Sequence, residues 1–390
     1  EHDSSFKQQD GFRYSARDLA AMRGRGENMP VVLGSATPSL ETLHNALAGK
    51  FVHLKLPYST AAQPRAAVEL IDTADKPLRE GFSEESLQRL KLHVERGNQC
   101  LVFINRRGYA PVLNCSTCGW QSECDDCSAQ MTVHRSPPRL RCHHCGVSIA
   151  LPRSCPHCKS TTLDTLGLGT QKAETFLARE FPDFPVIRVD RDSTRGKSAL
   201  DKVLTRVDAG EPCILLGTQM LAKGHHFPNM TLVVILDADG GLFSVDFRAP
   251  EQLIQTLIQV SGRSGRGEHP GEVMVQTCHS DHPLLQSLTR GHYLPVADQL
   301  LEERQTGALP PFRAMAIFRA EADSMEQSLQ VLDRIKPLAR GDRLEVWGPL
   351  PAMIARRADR HRAQLVILCD HRKHLNTILT RICQTLDDTK

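Results

Sequence analysis

Eight cysteines fall in four Cys-x-x-Cys pairs between positions 115 and 158: Cys115/Cys118, Cys124/Cys127, Cys142/Cys145 and Cys155/Cys158. Thiolates two residues apart on a tight turn converge on one tetrahedral ion, and two such knuckles close a four-sulfur zinc site. Eight ligands therefore imply two Zn2+ ions. Four knuckles can pair in three ways. The 14 residues between Cys127 and Cys142 leave room for a two-stranded ribbon, with Met131–His134 and Arg139–Cys142 as strands and Ser136-Pro137-Pro138 as the turn. That ribbon favours a nested pairing: Cys115, Cys118, Cys155 and Cys158 on one ion, and Cys124, Cys127, Cys142 and Cys145 on the other. Disulfides or free dithiols are the competing reading, but a Gly, Pro or His beside each knuckle is typical of zinc turns. An iron–sulfur cluster is a weaker alternative. His143, His144 and His157 sit inside the knuckles, where spare imidazoles usually support the ligands, and they are not counted as ligands.

A second motif is Gln259-Val260-Ser261-Gly262-Arg263-Ser264-Gly265-Arg266. Two arginines three apart, with glycines for close approach, suit a triphosphate contact in which Arg263 or Arg266 neutralises charge developing on the γ-phosphate. Thr218 and Lys223, in the segment Gly217–Pro228, suit a nucleic-acid backbone or a contact between lobes. His225 and His226 have no carboxylate or cysteine nearby to complete a metal site. Residues 1–29 intersperse Phe6, Phe12 and Tyr14 with Arg13, Arg17, Arg23 and Arg25. Such a stretch either stacks bases and holds phosphates or is an ordinary surface segment. Arg356, Arg357, Arg360 and Arg362 form a basic turn, equally a phosphate site or a solvated face.

The elements that must position these residues are legible as apolar runs. Leu101–Ile104, Val186–Val189, Ile214–Leu216, Leu232–Leu236 and Val273–Val275 read as buried strands. Helical patterns lie near 171–181, 197–209 and 250–261. Buried strands alternating with helices predict a parallel sheet covered on both faces. Pro30–Leu33 reads as a further short strand, ending at Gly34-Ser35-Ala36-Thr37, with a helix from Leu40. Residues 57–86 read as a linker with a short helix. The cysteine block enters the sheet domain after its first strand, and residues 310–390 read as a small α+β domain.

Bulk composition is ordinary. The 390 residues carry a net charge of +3 and 40% hydrophobic residues, so any nucleic-acid role must rest on local patches. There are 13 cysteines, and the five outside the knuckles read as buried thiols, which suits a reducing cytosol. No apolar run reaches the roughly 18 residues of a membrane span, and no signal peptide is visible.

Gly34-Ser35-Ala36-Thr37, Asn105-Arg106-Arg107, the Thr218–Gly224 stretch and Gln259-x-x-Gly262-Arg263-x-x-Arg266 resemble motifs three to six of a superfamily-2 helicase. Glu1-His2 resemble the end of its Asp-Glu-Glu-His motif. With the eight-cysteine insertion, the chain resembles the primosomal protein N′ family of bacterial replication-restart helicases over essentially its whole length. The resemblance implies a RecA-like second lobe with an inserted zinc-ribbon-like module, a remnant of the first lobe and a small α+β C-terminal domain. The implied boundaries are 1–60, 61–114, 115–158, 159–309 and 310–390, the last domain binding DNA and incomplete.

It further implies an ATP-dependent 3′-to-5′ DNA helicase that recognises stalled or abandoned forks and promotes primosome assembly. The alternative is a nonenzymatic zinc- and DNA-binding primosome adaptor. Glu1, His2, Gly262, Arg263 and Arg266 would serve nucleotide binding and hydrolysis. Phe6, Phe12, Arg13, Tyr14, Thr37, Asn105, Arg106, Thr218, Lys223, Arg356, Arg357, Arg360 and Arg362 would serve DNA. The implied partners are forked and single-stranded DNA, primosome proteins, single-strand-binding protein and the machinery that loads the replicative helicase, in a cytoplasmic, nucleoid-associated setting with no membrane. The sequence departs from the family pattern in several respects: the Asp and first Glu of the Asp-Glu-Glu-His motif and the family's N-terminal domains would precede Glu1, and the family's last strand would follow Lys390. It has no Gly-x-x-x-x-Gly-Lys-Ser/Thr, so ATP and Mg2+ would need first-lobe residues that precede Glu1 in the family. The chain therefore reads as a fragment truncated at both ends, and as inactive in ATP hydrolysis by itself.

Overall fold

The computed structural model describes all residues other than 9–10, 57–65, 106–111, 136, 143–144, 167–169, 191–202, 204, 219–226, 228, 245, 266–269, 291, 342 and 388–390. The chain forms two compact units: Glu1–Arg107 with Thr170–Glu302, and Gly108–Gly169 with Glu303–Lys390.

The first unit is built on a six-stranded parallel sheet. Its strands are β1 (Ala67–Asp72), β2 (Gln99–Ile104), then β8 (Val186–Val189), β9 (Ile214–Gly217), β10 (Met230–Leu236) and β11 (Glu272–Thr277), counting β3 to β7 within the second unit. They lie in the order β1-β11-β10-β2-β9-β8. Every residue of β2, β9 and β10 is buried, as expected of central parallel strands covered on both faces.

Flanking this sheet, α3 (Glu84–Glu95) packs on β2 and β10, and α4 (Thr170–Glu180) packs on β8 and β9. Helix α5 (Ala249–Ser261) packs on β10, and α6 (Pro283–Thr289) packs on β1. Ser83 starts α3 by accepting a hydrogen bond from the Ser86 amide, an N-cap worth about 1 kcal/mol. Two helices precede the sheet, α1 (Ala16–Gly26) and α2 (Leu40–Leu47), and α7 (Tyr293–Thr306) follows it.

Several expectations need correction. Cys278 and Cys383, read as buried thiols, are exposed. Residues 30–33 form no strand, and Val32 is 86% exposed; a strand needs a neighbour, and no described strand pairs with this segment. The stretch read as a linker contains β1 and leads into α3. Because β1 precedes β2, the cysteine block enters after the second strand of the sheet rather than the first. The helix near 197–209 lies largely outside the described residues.

The second unit holds two antiparallel sheets. One comprises β3 (Val112–Cys115), β4 (Thr132–Arg135), β5 (Pro138–Arg141), β6 (Ser148–Ala150) and β7 (Leu163–Leu166), in the order β6-β5-β4-β3-β7. Its small core is Leu113, Met131, Val133 and Leu140 with the thiols of Cys124, Cys127 and Cys142, which leaves little apolar area to hold the fold without metal. The other comprises β12 (Ala314–Ala322), β13 (Leu344–Arg357) and β14 (Arg360–Cys369), in the order β12-β14-β13. Helices α8 (Met325–Ile335) and α9 (Arg372–Asp387) cover it through Leu332, Ile335, Ile378 and Ile382 against Ala363, Leu365 and Ile367.

The basic stretch 356–362, read as a turn between strands, is mostly strand: β13 runs to Arg357 and β14 starts at Arg360. Its turn is only Ala358-Asp359, with φ of +48° and +58°. Two consecutive left-handed residues make the tight turn whose twist matches the flanking strands.

Candidate functional site

Helix α5 presents a polar face to the segment 35–42. Arg248, at its N-terminal boundary, and then Glu251, Gln255 and Gln259 recur every three or four residues, so they share one side of the helix. Arg248 pairs with Glu41. The Glu251 carboxylate accepts from the Leu40 amide at 3.0 Å, and the Gln255 side-chain amide donates to the Thr37 carbonyl at 3.3 Å. The Tyr293 hydroxyl, at the start of α7, donates to the Pro38 carbonyl at 2.7 Å. Glu251 and Gln255 are buried, and buried polar groups persist where they satisfy other groups. Here they satisfy the main chain of a turn.

The same face reaches His2. The Gln259 amide nitrogen lies 3.1 Å from Thr37 Oγ1 and in hydrogen-bonding contact with His2 Nε2. His2 Nδ1 is 2.7 Å from Ser35 Oγ. An amide nitrogen only donates, so His2 Nε2 accepts and Nδ1 carries the proton given to Ser35. Glu1 spreads its carboxylate over the start of α2, accepting from the Ser39 amide at 2.6 Å and from Thr42 Oγ1 at 3.0 Å. Arg17 pairs with it at 3.2 Å. A carboxylate at a helix N-terminus is favoured by the unpaired amides there.

Past the C-terminal end of α5, Gly262 ends the helix and Arg263 is buried; Arg266 lies outside the described residues. Gly265 has φ +72°, and a Cβ on it would meet the Gly271 nitrogen at 2.8 Å. Asn105 is buried just beyond β2, and Thr218 follows β9. These two strands are neighbours, so both residues sit at the carboxyl edge of the sheet, where ligands approach open α/β folds. Arg106 and Lys223 lie outside the described residues.

Asp237 follows β10 at the same edge with φ +57°. Burial, reinforced by the charge of Asp239, pushes its carboxyl up to about 6. Nothing in the sequence singles out Asp237, Glu251 or Gln255; the last two were findable only as polar positions at helical spacing before Gln259.

Near the N-terminus, the Gln8 amide donates to the Tyr14 carbonyl at 2.8 Å, and Lys7 bridges Ser15. The loop so closed projects Phe12, 85% exposed, with its ring 6.2 Å from that of Tyr14. Phe6 and Arg13 are also exposed. Exposed rings with adjacent cations suit unpaired bases.

The eight thiols form two clusters: Cys115, Cys118, Cys155 and Cys158, and Cys124, Cys127, Cys142 and Cys145. Within each, the sulfurs lie within 4.8 Å of one another. This is the nested grouping. Sulfurs 3.5 Å apart for Cys115–Cys158 and 3.7 Å for Cys118–Cys155 and Cys124–Cys145 are far beyond a disulfide bond of about 2.05 Å. They approach the roughly 3.8 Å edge of a tetrahedron with Zn–S bonds of about 2.3 Å. Burial, then the thiols of Cys142 and Cys145, push the Cys124 thiol up to about 12. A thiolate set at that site therefore calls for a cation. Two closed, all-sulfur tetrahedra fit zinc. His157 is not part of either cluster, and His143 and His144 lie outside the described residues.

In the C-terminal sheet, Arg360 pairs with Asp323, Arg362 with Glu321 at 2.7 Å and Arg356 with Asp359 at 3.9 Å. Arg357, the last residue of β13, is exposed. The arginines thus line a hairpin with carboxylates beside three of them.

Comparison with known proteins identifies the domains of the chain. The profile of the helicase conserved C-terminal domain matches residues 160–268, that of the PriA DNA helicase Cys-rich region 124–149, and that of the primosomal protein N C-terminal domain 305–389. The chain is 45% identical to replication restart protein PriA of Haemophilus influenzae over 94% of its own length and 51% of that protein's. It is 37% identical to the Bacillus subtilis protein of the same name, over 98% of its length and 48% of that protein's. The chain therefore spans about half the length of the curated relatives it matches. Among solved structures, S. cerevisiae Dbp5 bound to RNA and ADP BeF3 aligns over 77% of this chain and 59% of that one, at 12% identity and TM-score 0.37; nothing further rests on that likeness. A helicase lobe of parallel strands, an inserted eight-cysteine module and a matching C-terminal domain occur together in one chain, and the chain belongs to the PriA family of replication restart proteins.

Proposed function

We propose that the chain is the nucleotide-responsive and fork-engaging part of an ATP-dependent 3′-to-5′ DNA helicase that acts at stalled or abandoned forks and promotes primosome assembly. The observation that carries this reading is the α5 face. One helix that ends in Gly262-Arg263 also holds Thr37 and His2 through Gln259, so a change at the arginine end is felt at the segment between. ATP with Mg2+ supplies the phosphoryl chemistry when bound. Arg263 and Arg266, with Gly262 for close approach, are suited to contact its phosphates from this lobe. Glu1 and His2 contribute by fixing the start of α2, His2 giving a hydrogen bond to Ser35 and accepting one from Gln259.

Thr37, Asn105, Arg106, Thr218 and Lys223 are assigned to the tracked strand, whose phosphates they would hold without reading sequence. Phe6, Phe12, Arg13 and Tyr14 are assigned to base stacking and to coupling DNA binding to hydrolysis. The two cysteine clusters hold two Zn2+ and stabilise a module available to primosome partners, including single-strand-binding protein and the replicative-helicase loading machinery. A role on chromosomal DNA places the protein in the cytoplasm with the nucleoid. No helix among the described residues is long and apolar enough to cross a membrane.

DNA-stimulated ATP hydrolysis tests the proposal, run on these residues and on a version extended upstream. These 390 residues contain no Gly-x-x-x-x-Gly-Lys-Ser/Thr, so activity is expected only in the extended version. Activity in neither would favour a zinc- and DNA-binding adaptor instead.

A further inference from the structure

The tip of the β13–β14 hairpin is seated on one of the two cysteine clusters. The Ala358 amide donates to Cys127 Sγ at 3.1 Å. On either side, the Ser128 amide donates to the Arg356 carbonyl and the Asp359 amide to the Asp126 carbonyl, each at 2.8 Å. The tight turn aims the Ala358 N–H outward, and its left-handed φ fixes that direction. Three bonds from main-chain amides therefore join strands some 230 positions away in sequence to the Cys124–Cys127 knuckle.

The two clusters differ accordingly. Cys118 and Cys158 of the first are exposed, whereas Cys124, Cys127 and Cys142 of the second are buried. A zinc ion with four thiolates carries net negative charge, and donors to the ligating sulfurs stabilise it. The hairpin brings such a donor, flanked by arginines at the ends of both strands.

We infer that the β13–β14 hairpin tip locks the Cys124/Cys127/Cys142/Cys145 metal centre, making it the slow-exchanging one of two unequal sites. By linkage, the metal in that site holds the hairpin in place. This rests on the reading that the clusters hold zinc.

The test is zinc release from the loaded chain under a thiol-reactive mercurial, followed with a metal indicator. Two zinc ions per chain should leave in two equal phases, the second slower by about tenfold or more, the usual effect of a group that supports a ligand. Ala358→Pro removes the N–H and cannot adopt the positive φ, so its slow phase should merge with the fast one. Ala358→Gly keeps both features and should leave the slow phase intact. Hydrogen exchange on the unmodified chain gives a readout independent of any variant's folding. The Ser128, Ala358 and Asp359 amides should lose protection only when the slow zinc leaves. One release phase, a slow phase unchanged in Ala358→Pro, or hairpin amides indifferent to zinc would overturn the inference. Zinc well below two per chain would instead overturn the metal assignment beneath it.

Discussion

Gln259 holds His2 and Thr37 with a single amide nitrogen, 3.1 Å from the Thr37 hydroxyl and in hydrogen-bonding contact with the imidazole. Few side chains could replace it. The site needs a donor long enough to cross from α5, and both partners present acceptors. In the upstream-extended protein, Gln259→Ala should lower DNA-stimulated ATP turnover about tenfold, the effect of losing a hydrogen bond worth roughly 1–1.5 kcal/mol. Gln259→Glu should do at least as much harm, since it puts an acceptor where a donor is required. DNA affinity should hold in both. Full turnover in the alanine variant would remove Gln259 from the coupling.

Asp237 makes stability depend on pH. Its carboxyl is pushed up to about 6, chiefly by burial and also by Asp239, against about 3.9 in an unfolded chain. Between those values the folded state binds more protons than the unfolded one, so stability falls as pH rises through that window. Asp237→Asn should raise the melting temperature at pH 7 to 8 and flatten its dependence between pH 4 and 6. Asparagine also tolerates the left-handed backbone. A variant melting below the parent at pH 8 would contradict this.

Gly265 is a position where only glycine fits. With φ +72° and the Gly271 nitrogen 2.8 Å from a would-be Cβ, Gly265→Ala should cost about 1–3 kcal/mol. An unchanged urea midpoint would show that the turn after Arg263 is looser than described.

Salt dependence separates two roles for the hairpin arginines. If Arg356, Arg360 and Arg362 each neutralised one phosphate, replacing all three with alanine would reduce the slope of log affinity against log salt by roughly 2.7, at about 0.9 apiece on duplex DNA. Their carboxylate partners argue for a loss below about 1. A loss near the larger value would restore them as phosphate contacts.

Chelation should act on the cysteine module far more than on the parallel sheet. The module's apolar core is small, so metal bound at the two clusters would supply much of its folding energy. Proteolysis after zinc removal should cut within 112–166 and spare β2, β9 and β10. Equal resistance with and without chelator would argue that the module folds without metal.

Much of this was legible in the sequence, for physical reasons. The strands β2, β9, β10 and β11 are apolar runs because both faces of a parallel sheet are covered, and the cysteine pairs announce themselves by spacing. β1 was missed because Glu69 and Asp72 interrupt its short apolar run, which suits an edge strand, behind a Pro- and Ala-rich stretch. The buried face of α5 was missed because Glu251 and Gln255 look like solvated residues; only Leu40 and Thr37, more than 200 positions earlier, explain their burial. The arginines of 356–362 left open a phosphate site or a solvated face because the partners of Arg360 and Arg362, Asp323 and Glu321, lie on or just beyond a strand that the sequence does not join to them. Asp237 carries no signal at all.

The pairing of β3 with β7 has a consequence for how the chain assembles. Val112 lies opposite Leu166, so folding of the module draws the ends of a long insertion together, and we expect this to precede the pairing of β2 with β9. Loop-closure entropy grows with the logarithm of free chain length, and a module that closes early shortens the effective tether between those neighbouring strands. Metal supply would then set the pace of refolding for a sheet outside the cysteine module. Stopped-flow refolding with and without zinc would reveal this as a faster burial of the β2 and β9 amides when zinc is present, and identical rates would refute it.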